Sequence, residues 1–80
     1  MKQIENKVVE IMKRYTFNEE VWDNYNLDTK IINDLKINSA RIVDIVLDIE
    51  EEFGIELEDE SIGKLITIRD VIEQIKEKSK

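Results

Sequence analysis

The chain contains no cysteine, no histidine and no proline, and only two glycines among its 80 residues. Without cysteine it forms no disulfide and has no thiolate of its own, and without histidine it lacks the usual general base and the commonest metal ligand. Any reactive sulfur must therefore be brought in by a cofactor. The scarcity of proline and glycine disfavours disorder and a turn-rich β fold, and favours helices.

Long apolar runs are also absent, as is a charged start followed by a short apolar stretch. A membrane-spanning helix needs about 20 consecutive apolar residues, and a secretory signal needs an apolar core behind a basic start. We therefore predict no membrane span and no signal peptide, and we expect a cytoplasmic protein. Residues 1–80 are expected to form one monomeric domain, which is too small to hold both a core and a large substrate cleft.

Basic residues are few: 12 lysines and arginines stand against 19 acids, which gives a net charge of -7. Such a surface repels the phosphate backbone of nucleic acid, so nucleic-acid binding is disfavoured and basic protein partners are favoured. Acids cluster at positions 50–52 and 58–60, but without the glycine-punctuated ligand order of a calcium-binding EF-hand loop. We predict no metal site there, and at most weak, nonspecific cation binding.

Four stretches of the sequence have apolar residues at helical spacing, with no repeat or low-complexity tract between them. The first predicts a helix that ends near Tyr15. The second predicts a helix that begins at Asn38 or Ser39, both common N-cap residues, and ends at Phe53, where Gly54 supplies a stop.

A short third helix and a longer fourth helix follow. The third is predicted from two candidate caps and two apolar residues, namely Asp59, Ser61, Ile62 and Leu65. The fourth begins at Thr67, with Asp70 placed to complete a capping box. The predicted fold is therefore all-α, a small bundle of three main helices and one short helix with a long first loop.

Each long helix has one apolar face that predicts the core. The residues on these faces are Ile4, Val8, Ile11 and Met12; Ile42, Val46, Ile49 and Phe53; and Ile68, Val71, Ile72 and Ile75. A different face of the second helix is charged and carries Arg41, Asp44, Asp48, Glu51 and Glu52. Val43 and Leu47 project between the two faces, where a partner protein could bury them.

Residues 16–37 form the long first loop, in which apolar residues are scattered among Asn and Asp. Those expected to attach the loop to the core are Phe17, Val21, Trp22, Tyr25, Leu27, Ile31, Ile32 and Leu35. Trp22 is interpreted as an anchor in the core and not as a ligand platform. Because structureless loops of this length are unusual in small domains, we expect the segment to be functional or partly helical.

The run from Asp34 to Ala40, followed by an amphipathic helix that ends in Glu50-Glu51-Glu52-Phe53, resembles the acyl carrier protein family. That family has the signature D-L-G-x-D-S-L before such a helix. The segment Leu65-Ile66-Thr67-Ile68-Arg69-Asp70-Val71-Ile72 is similar to the start of the family's final helix. The resemblance covers nearly the whole chain and is weakest in residues 16–29.

The resemblance implies an acyl-carrier-like bundle with a 4'-phosphopantetheine arm on Ser39. A separate phosphopantetheinyl transferase would donate the arm from coenzyme A, and acyl groups would be held on it as thioesters during fatty-acid, lipid or polyketide-type synthesis. Partner synthases or ligases would dock basic patches on the second helix. The residues implied for docking are Arg41, Val43, Asp44, Leu47, Asp48 and Glu51. The resemblance implies no catalytic residue and no enzyme activity.

The sequence departs from the family pattern at four positions. Asn38 stands in place of aspartate, Ala40 in place of leucine, Lys36 where glycine is usual, and Arg41 where the helix commonly carries an acid. Together these changes make the surface around Ser39 less acidic and less apolar. We therefore expect a specialised carrier that works with a dedicated synthase or ligase.

Three alternatives remain open from the sequence. An anonymous serine before a helix is most often only a cap, so the chain could be an acidic adaptor with a bare Ser39. A carrier of aminoacyl groups would share the fold, but the glycine pair that usually precedes its serine is missing here, where Lys36 and Ile37 stand. A small enzyme would need an acid-base pair in a pocket, and the acids are spread over solvated faces.

Overall fold

The computed structural model describes residues 2–17 and 19–79, so position 18 of the predicted loop lies outside them. Four α-helices are present in these ranges: α1 (Lys2–Lys13), α2 (Ile42–Phe53), α3 (Asp59–Ile62) and α4 (Ile68–Lys78). Two single 3-10 turns precede α2, at Glu19–Trp22 and Ser39–Arg41. The described part of the chain contains no β-strand, only an isolated bridge between Lys30 and Thr67. The predicted all-α bundle is confirmed.

The core lies where α1 packs against α2 and α4. Burying one large aliphatic side chain stabilises the fold by roughly 1.5–3 kcal/mol, so the three apolar faces are the main stabilising feature. The buried residues of these helices are Val8, Val9, Ile11, Met12, Ile45, Val46, Ile49, Ile68, Val71, Ile72 and Ile75. Most were predicted from helical spacing; Val9 and Ile45 were not, and the predicted Ile4, Ile42 and Phe53 are only partly buried.

Local sequence signals set the ends of two helices as predicted. Gly54 ends α2 in a left-handed conformation, with φ 64° and its N–H donating to the carbonyl of Glu50. A residue without Cβ adopts this conformation at little cost. At α4, Thr67 and Asp70 form the predicted capping box, in which each side chain accepts a hydrogen bond from the other's backbone N–H. By contrast, α1 ends at Lys13, two turn residues before the predicted Tyr15.

The predicted third helix is shorter than expected. It covers Asp59–Ile62, and its N-cap is Glu58, whose side chain makes no capping hydrogen bond. Beyond Ile62 the N–H of Leu65 donates to the carbonyl of Ile62, three residues back, as in a tight turn. Leu65 is therefore buried outside the helix, and the prediction that α3 carries it was wrong.

Trp22 anchors the long loop to the end of α1. Its side chain is buried, its indole Nε1 donates a 3.0 Å hydrogen bond to Thr16 Oγ1, and Tyr25 packs edge-on with ring centres 5.3 Å apart. The interpretation of Trp22 as a core anchor is confirmed. Phe17 is fully exposed and Ile32 is 44% exposed, so the expectation that these two attach the loop to the core was wrong.

Backbone hydrogen bonds join the second half of the loop to the connection between α3 and α4. The N–H of Ile31 donates to Ile66, that of Ile68 to Thr29, and that of Arg69 to Leu27, over 2.9, 3.1 and 2.8 Å. These bonds satisfy polar groups of a segment without regular structure. The loop is therefore held against the start of α4.

None of the helices in the described ranges is long and apolar enough to cross a bilayer.

Candidate functional site

Ser39 lies at the start of the 3-10 turn that leads into α2, and its side chain is exposed. The preceding residue, Asn38, is extended and caps the turn, since its Oδ1 accepts a 2.9 Å hydrogen bond from the N–H of Ala40. Of the two cap candidates in the sequence, Asn38 is the one that acts as the cap. The first turn of the predicted helix is a 3-10 turn, and α2 proper begins at Ile42.

Because Asn38 caps the turn, the hydroxyl of Ser39 is left free. Ser39 Oγ makes no hydrogen bond to any residue in the described ranges. A serine that acted only as a helix cap would bond the N–H two or three residues on, and Ser39 does not. The hydroxyl is thus exposed and unengaged, as a group open to covalent modification must be.

A groove of about 460 Å³ opens beside Ser39, between α2, α3 and the long loop. We call it the Ser39 groove. Its lining consists of Lys30, Ile32, Asn33, Ser39, Ile42, Val43, Ile62, Gly63, Leu65 and Ile66. The walls are mostly aliphatic, and Lys30 is the one charged residue in the described lining. The groove therefore suits a slender ligand that has both apolar and polar parts.

Three of the exposed apolar residues line the groove. Ile66 is 58% exposed, Val43 is 57% exposed, and Ile32 is 44% exposed. Sequence reasoning named Val43 for docking and missed the other two as site residues. The sequence did contain a signal for these two residues, because Ile32 and Ile66 stand in non-helical segments and belong to no apolar helix face.

These residues fit a 4'-phosphopantetheine arm. Such an arm needs an accessible serine oxygen for its phosphodiester, and Ser39 offers one without breaking a hydrogen bond. Its chain combines amide and aliphatic parts, which match the polar and aliphatic lining of the Ser39 groove. When bound, the arm would supply the thiol that the chain itself lacks.

Four of the predicted docking residues lie on the surface of α2 and its first turn. Leu47 is 56% exposed, and Glu51 and Arg41 are also exposed. Arg41 Nη1 forms a 3.0 Å ion pair with Asp44 Oδ2, so the arginine partly neutralises the acid at this end of the helix. Exposed pairs of this kind contribute about 0.2–1 kcal/mol at most, and both side chains remain available to a partner.

Asp48, which was also predicted for docking, is tied to α1. The hydroxyl of Tyr15 donates to its Oδ2, and Arg14 Nη1 lies 3.6 Å from the same oxygen. The hydrogen bond to Asp48, together with burial, raises the pKa of Tyr15 above its ordinary value near 10. The structure thus brings Val43, Asp44 and Leu47 to one surface and engages Asp48 in the α1–α2 contact.

Lys36, three residues before Ser39, has φ 59° and lies in the left-handed region of backbone space. The sequence resemblance has glycine at this position, and the structure gives the physical reason, since only a residue without Cβ adopts this conformation freely. The lysine is exposed.

Comparisons with known families and proteins agree with the fit of this site to a phosphopantetheine arm. The profile of a family described as "Phosphopantetheine attachment site" matches residues 6–75. The acyl carrier protein of Campylobacter hominis is 43% identical over 58 residues, which cover 72% of this chain and 73% of that protein. The acyl carrier protein of Rickettsia canadensis is 34% identical over 76 residues, which cover 95% of this chain and 86% of that protein.

Proposed function

The chain belongs to the acyl carrier protein family, whose cofactor is 4'-phosphopantetheine, and we propose that Ser39 is the residue that bears this arm. The chain is an acyl carrier, which holds acyl groups as thioesters at the end of the arm. The observation that carries the assignment to Ser39 is its free, exposed hydroxyl at the mouth of the Ser39 groove. The other two serines, Ser61 and Ser79, do not line this groove.

Each neighbour of Ser39 has a distinct task in this proposal. Asn38 caps the 3-10 turn and so keeps the serine oxygen unengaged. In modification, that oxygen forms a bond to the phosphorus next to pantetheine in coenzyme A as the pyrophosphate bond breaks, and adenosine 3',5'-bisphosphate and the serine proton leave. Ile42 and Val43 on one wall, with Leu65 on the other, shelter the aliphatic part of the arm or its acyl group. The chain itself catalyses no reaction.

A partner enzyme would dock on the exposed surface of α2. Leu47 and Val43 offer apolar area that water now covers, while Asp44 and Glu51 attract a basic patch. With the partner in place, the tethered acyl group is presented at high effective concentration. The expected partners are a phosphopantetheinyl transferase and synthases or ligases of fatty-acid or related synthesis, met by a monomeric carrier in the cytoplasm.

Intact-mass measurement tests the proposed attachment site. The unmodified protein is incubated with coenzyme A and a broad-specificity phosphopantetheinyl transferase, alongside two variants. The natural sequence and Ser61→Ala should each gain the mass of one arm, because Ser61, on α3, is not among the residues that line the groove. Ser39→Ala should gain none. An unchanged mass of the natural sequence with several transferases would favour an adaptor with a bare serine, and modification of Ser39→Ala would place the arm elsewhere.

A further inference from the structure

Lys36 has the only positive φ among the described residues other than glycine. In this region the Cβ atom crowds the backbone, so the conformation is uncommon for a residue with a long side chain. Lys36 gains no compensating contact, because its side chain forms no hydrogen bond or ion pair with any described residue. Backbone strain of this kind is found mostly at functional sites, so the free ammonium group of Lys36 is a candidate for binding a ligand.

Three further cations lie on segments that line or flank the Ser39 groove. Lys30 lines the groove, Lys64 stands between two lining residues in the sequence, and Arg41 follows Ser39 by two positions. We call Lys30, Lys36, Arg41 and Lys64 the basic rim. Arg41 pairs with Asp44, but neither Lys30 nor Lys64 has an ion-pair partner in the described ranges. A chain of net charge -7 thus carries a third of its basic residues on the segments that line or flank this groove.

The acids nearest to Ser39 in the sequence are each engaged with the chain. Oδ2 of Asp34 accepts a 2.8 Å hydrogen bond from the backbone N–H of Lys30, which fixes the carboxylate at the start of the turn before Lys36 but leaves it charged. Asp44 is held by Arg41 at 3.0 Å, so this pair carries no net charge. The three ammonium groups of Lys30, Lys36 and Lys64 therefore outnumber the remaining carboxylate of Asp34 and are open to an added anion.

We propose that Lys36 binds the phosphodiester that joins the arm to Ser39, with the rest of the basic rim supporting it. This inference rests on the proposed function, because it requires an arm on Ser39. Because three residues of chain span at most about 11 Å, the Cα atoms of Lys36 and Ser39 lie within that distance of each other. The flexible four-carbon side chain of lysine can reach across part of it. Lysine is a common phosphate ligand, and here its charge offsets an anion added to an already acidic protein.

The inference explains why glycine was replaced at this position. A glycine would relieve the left-handed strain but would leave the phosphodiester without this cation. Lysine keeps the strain in every state and recovers free energy only when the arm is present. The modified protein should therefore gain more stability from Lys36 than the unmodified protein does.

Thermal melting of unmodified and modified forms tests this coupling. Lys36→Gln removes the charge and keeps a side chain, Lys36→Gly removes both charge and strain, and Lys7→Gln is the control. Lys7→Gln makes the same change of charge on α1, where Lys7 forms an ion pair with Glu52 at the far end of α2. At about 10 mM salt, the Tm change on adding the arm should be more positive in the natural sequence than in Lys36→Gln, by about 4 °C. Lys7→Gln should show the same Tm change as the natural sequence.

Two further measurements sharpen the result. Unmodified Lys36→Gly should melt about 4 °C higher than the natural sequence, because its strain is gone, and should lose most of the gain on modification. The ³¹P resonance of the modified protein should shift in Lys36→Gln and not in Lys7→Gln. In about 1 M salt, the difference between the natural sequence and Lys36→Gln should disappear.

The inference is wrong if the Tm change on modification is the same in the natural sequence and Lys36→Gln and the ³¹P resonance does not shift. Lys36 would then be assigned to contact with an acidic surface of a partner. Failure of the proposed function is seen earlier and separately, because the intact mass then shows no arm in any variant.

Discussion

The hydroxyl of Tyr15 donates a 2.5 Å hydrogen bond to Oδ2 of Asp48, a residue 33 positions away. Tyr15 follows the end of α1, and Asp48 lies midway along α2. The contact joins the turn after α1 to α2 through a residue that the sequence pattern had placed on the docking face. Asp48 therefore contributes to stability as well as to surface charge, and its replacement alters both.

Tyr15→Phe should destabilise the protein. A hydrogen bond to a charged group is typically worth about 1.5–3 kcal/mol, and partial exposure of this pair reduces that to about 1 kcal/mol. The loss corresponds to a fall in Tm of roughly 4–8 °C for a domain of this size. Tyr25→Phe is the matched control, because its hydroxyl donates over a longer 3.2 Å to Glu5. Urea unfolding at neutral pH measures both, and a loss in Tyr25→Phe that equals or exceeds that in Tyr15→Phe would contradict the assignment.

The contribution of Tyr15 should also depend on pH. The hydrogen bond to Asp48 raises the pKa of Tyr15 in the folded state above the value near 10 of the unfolded chain. The neutral phenol is favoured by folding, so the stabilisation is complete below about pH 10 and is lost as the pH rises through the folded-state pKa. The difference in unfolding free energy between the natural sequence and Tyr15→Phe should therefore be constant from pH 7 to about pH 9 and shrink above pH 10.

Asn38→Ala should weaken the start of α2. It removes the side-chain oxygen that accepts from the N–H of Ala40 and should cost about 1 kcal/mol. Asn38→Asp keeps that acceptor and restores the acid typical of the resemblance, so its unfolding free energy should stay within about 0.5 kcal/mol of the natural sequence. Denaturant unfolding separates the two variants. Equal stability of all three proteins would show that the cap hydrogen bond contributes nothing measurable.

Docking on α2 should separate into charged and apolar parts. Reversing Asp44 and Glu51 to Lys should lower the rate of association with a partner and weaken its salt dependence, because exposed charges mainly steer the encounter. Glu73→Lys on α4 is the control for a charge reversal away from this surface. Binding kinetics with a phosphopantetheinyl transferase at two salt concentrations measure the effect. If the association rate is unchanged after the double reversal and circular dichroism confirms the fold, Asp44 and Glu51 are only solvated surface residues without a role in docking.

Leu47→Ala should act mainly on dissociation. The side chain is 56% exposed in the free protein, and its burial by a partner would be worth roughly 1–2 kcal/mol, or about a 5- to 30-fold faster dissociation on truncation. Phe17→Ala, which also removes an exposed apolar side chain, is the matched control outside α2. The salt dependence of association should be unchanged in both. Similar dissociation rates for Leu47→Ala and the natural sequence would exclude Leu47 as an anchor.

Local features of the fold could be predicted from the sequence because their causes lie within a few residues. The capping box of Thr67 and Asp70 joins positions three apart, and Gly54 stops α2 through its own backbone freedom. The apolar faces of the long helices follow from helical spacing alone. The start of the turn before α2, at Asn38 or Ser39, was predicted from their side chains, since a cap acts on an N–H two or three residues on.

Features that depend on distant contacts could not be predicted. The bond between Tyr15 and Asp48 joins the turn after α1 to α2, and no pattern within either segment indicates it. Trp22 is buried and Phe17 is exposed, and local sequence does not distinguish these two aromatic residues, whereas contacts such as the hydrogen bond from Trp22 to Thr16 do. The Ser39 groove draws its walls from three separated segments of the chain, so its lining is visible only once the fold is known.

The two sides of the Ser39 groove differ in how firmly they are held. The loop side is joined to the segment before α4 by main-chain hydrogen bonds, including that from Ile31 to Ile66. The side formed by α3 is a single helical turn, and its N-cap residue Glu58 makes no side-chain bond to it. Local opening in proteins begins where such restraints are fewest. On the proposed function, in which this groove shelters the acyl group, the free energy of opening this one turn would set the bulk of acyl group that fits, and the stability of the whole bundle would not.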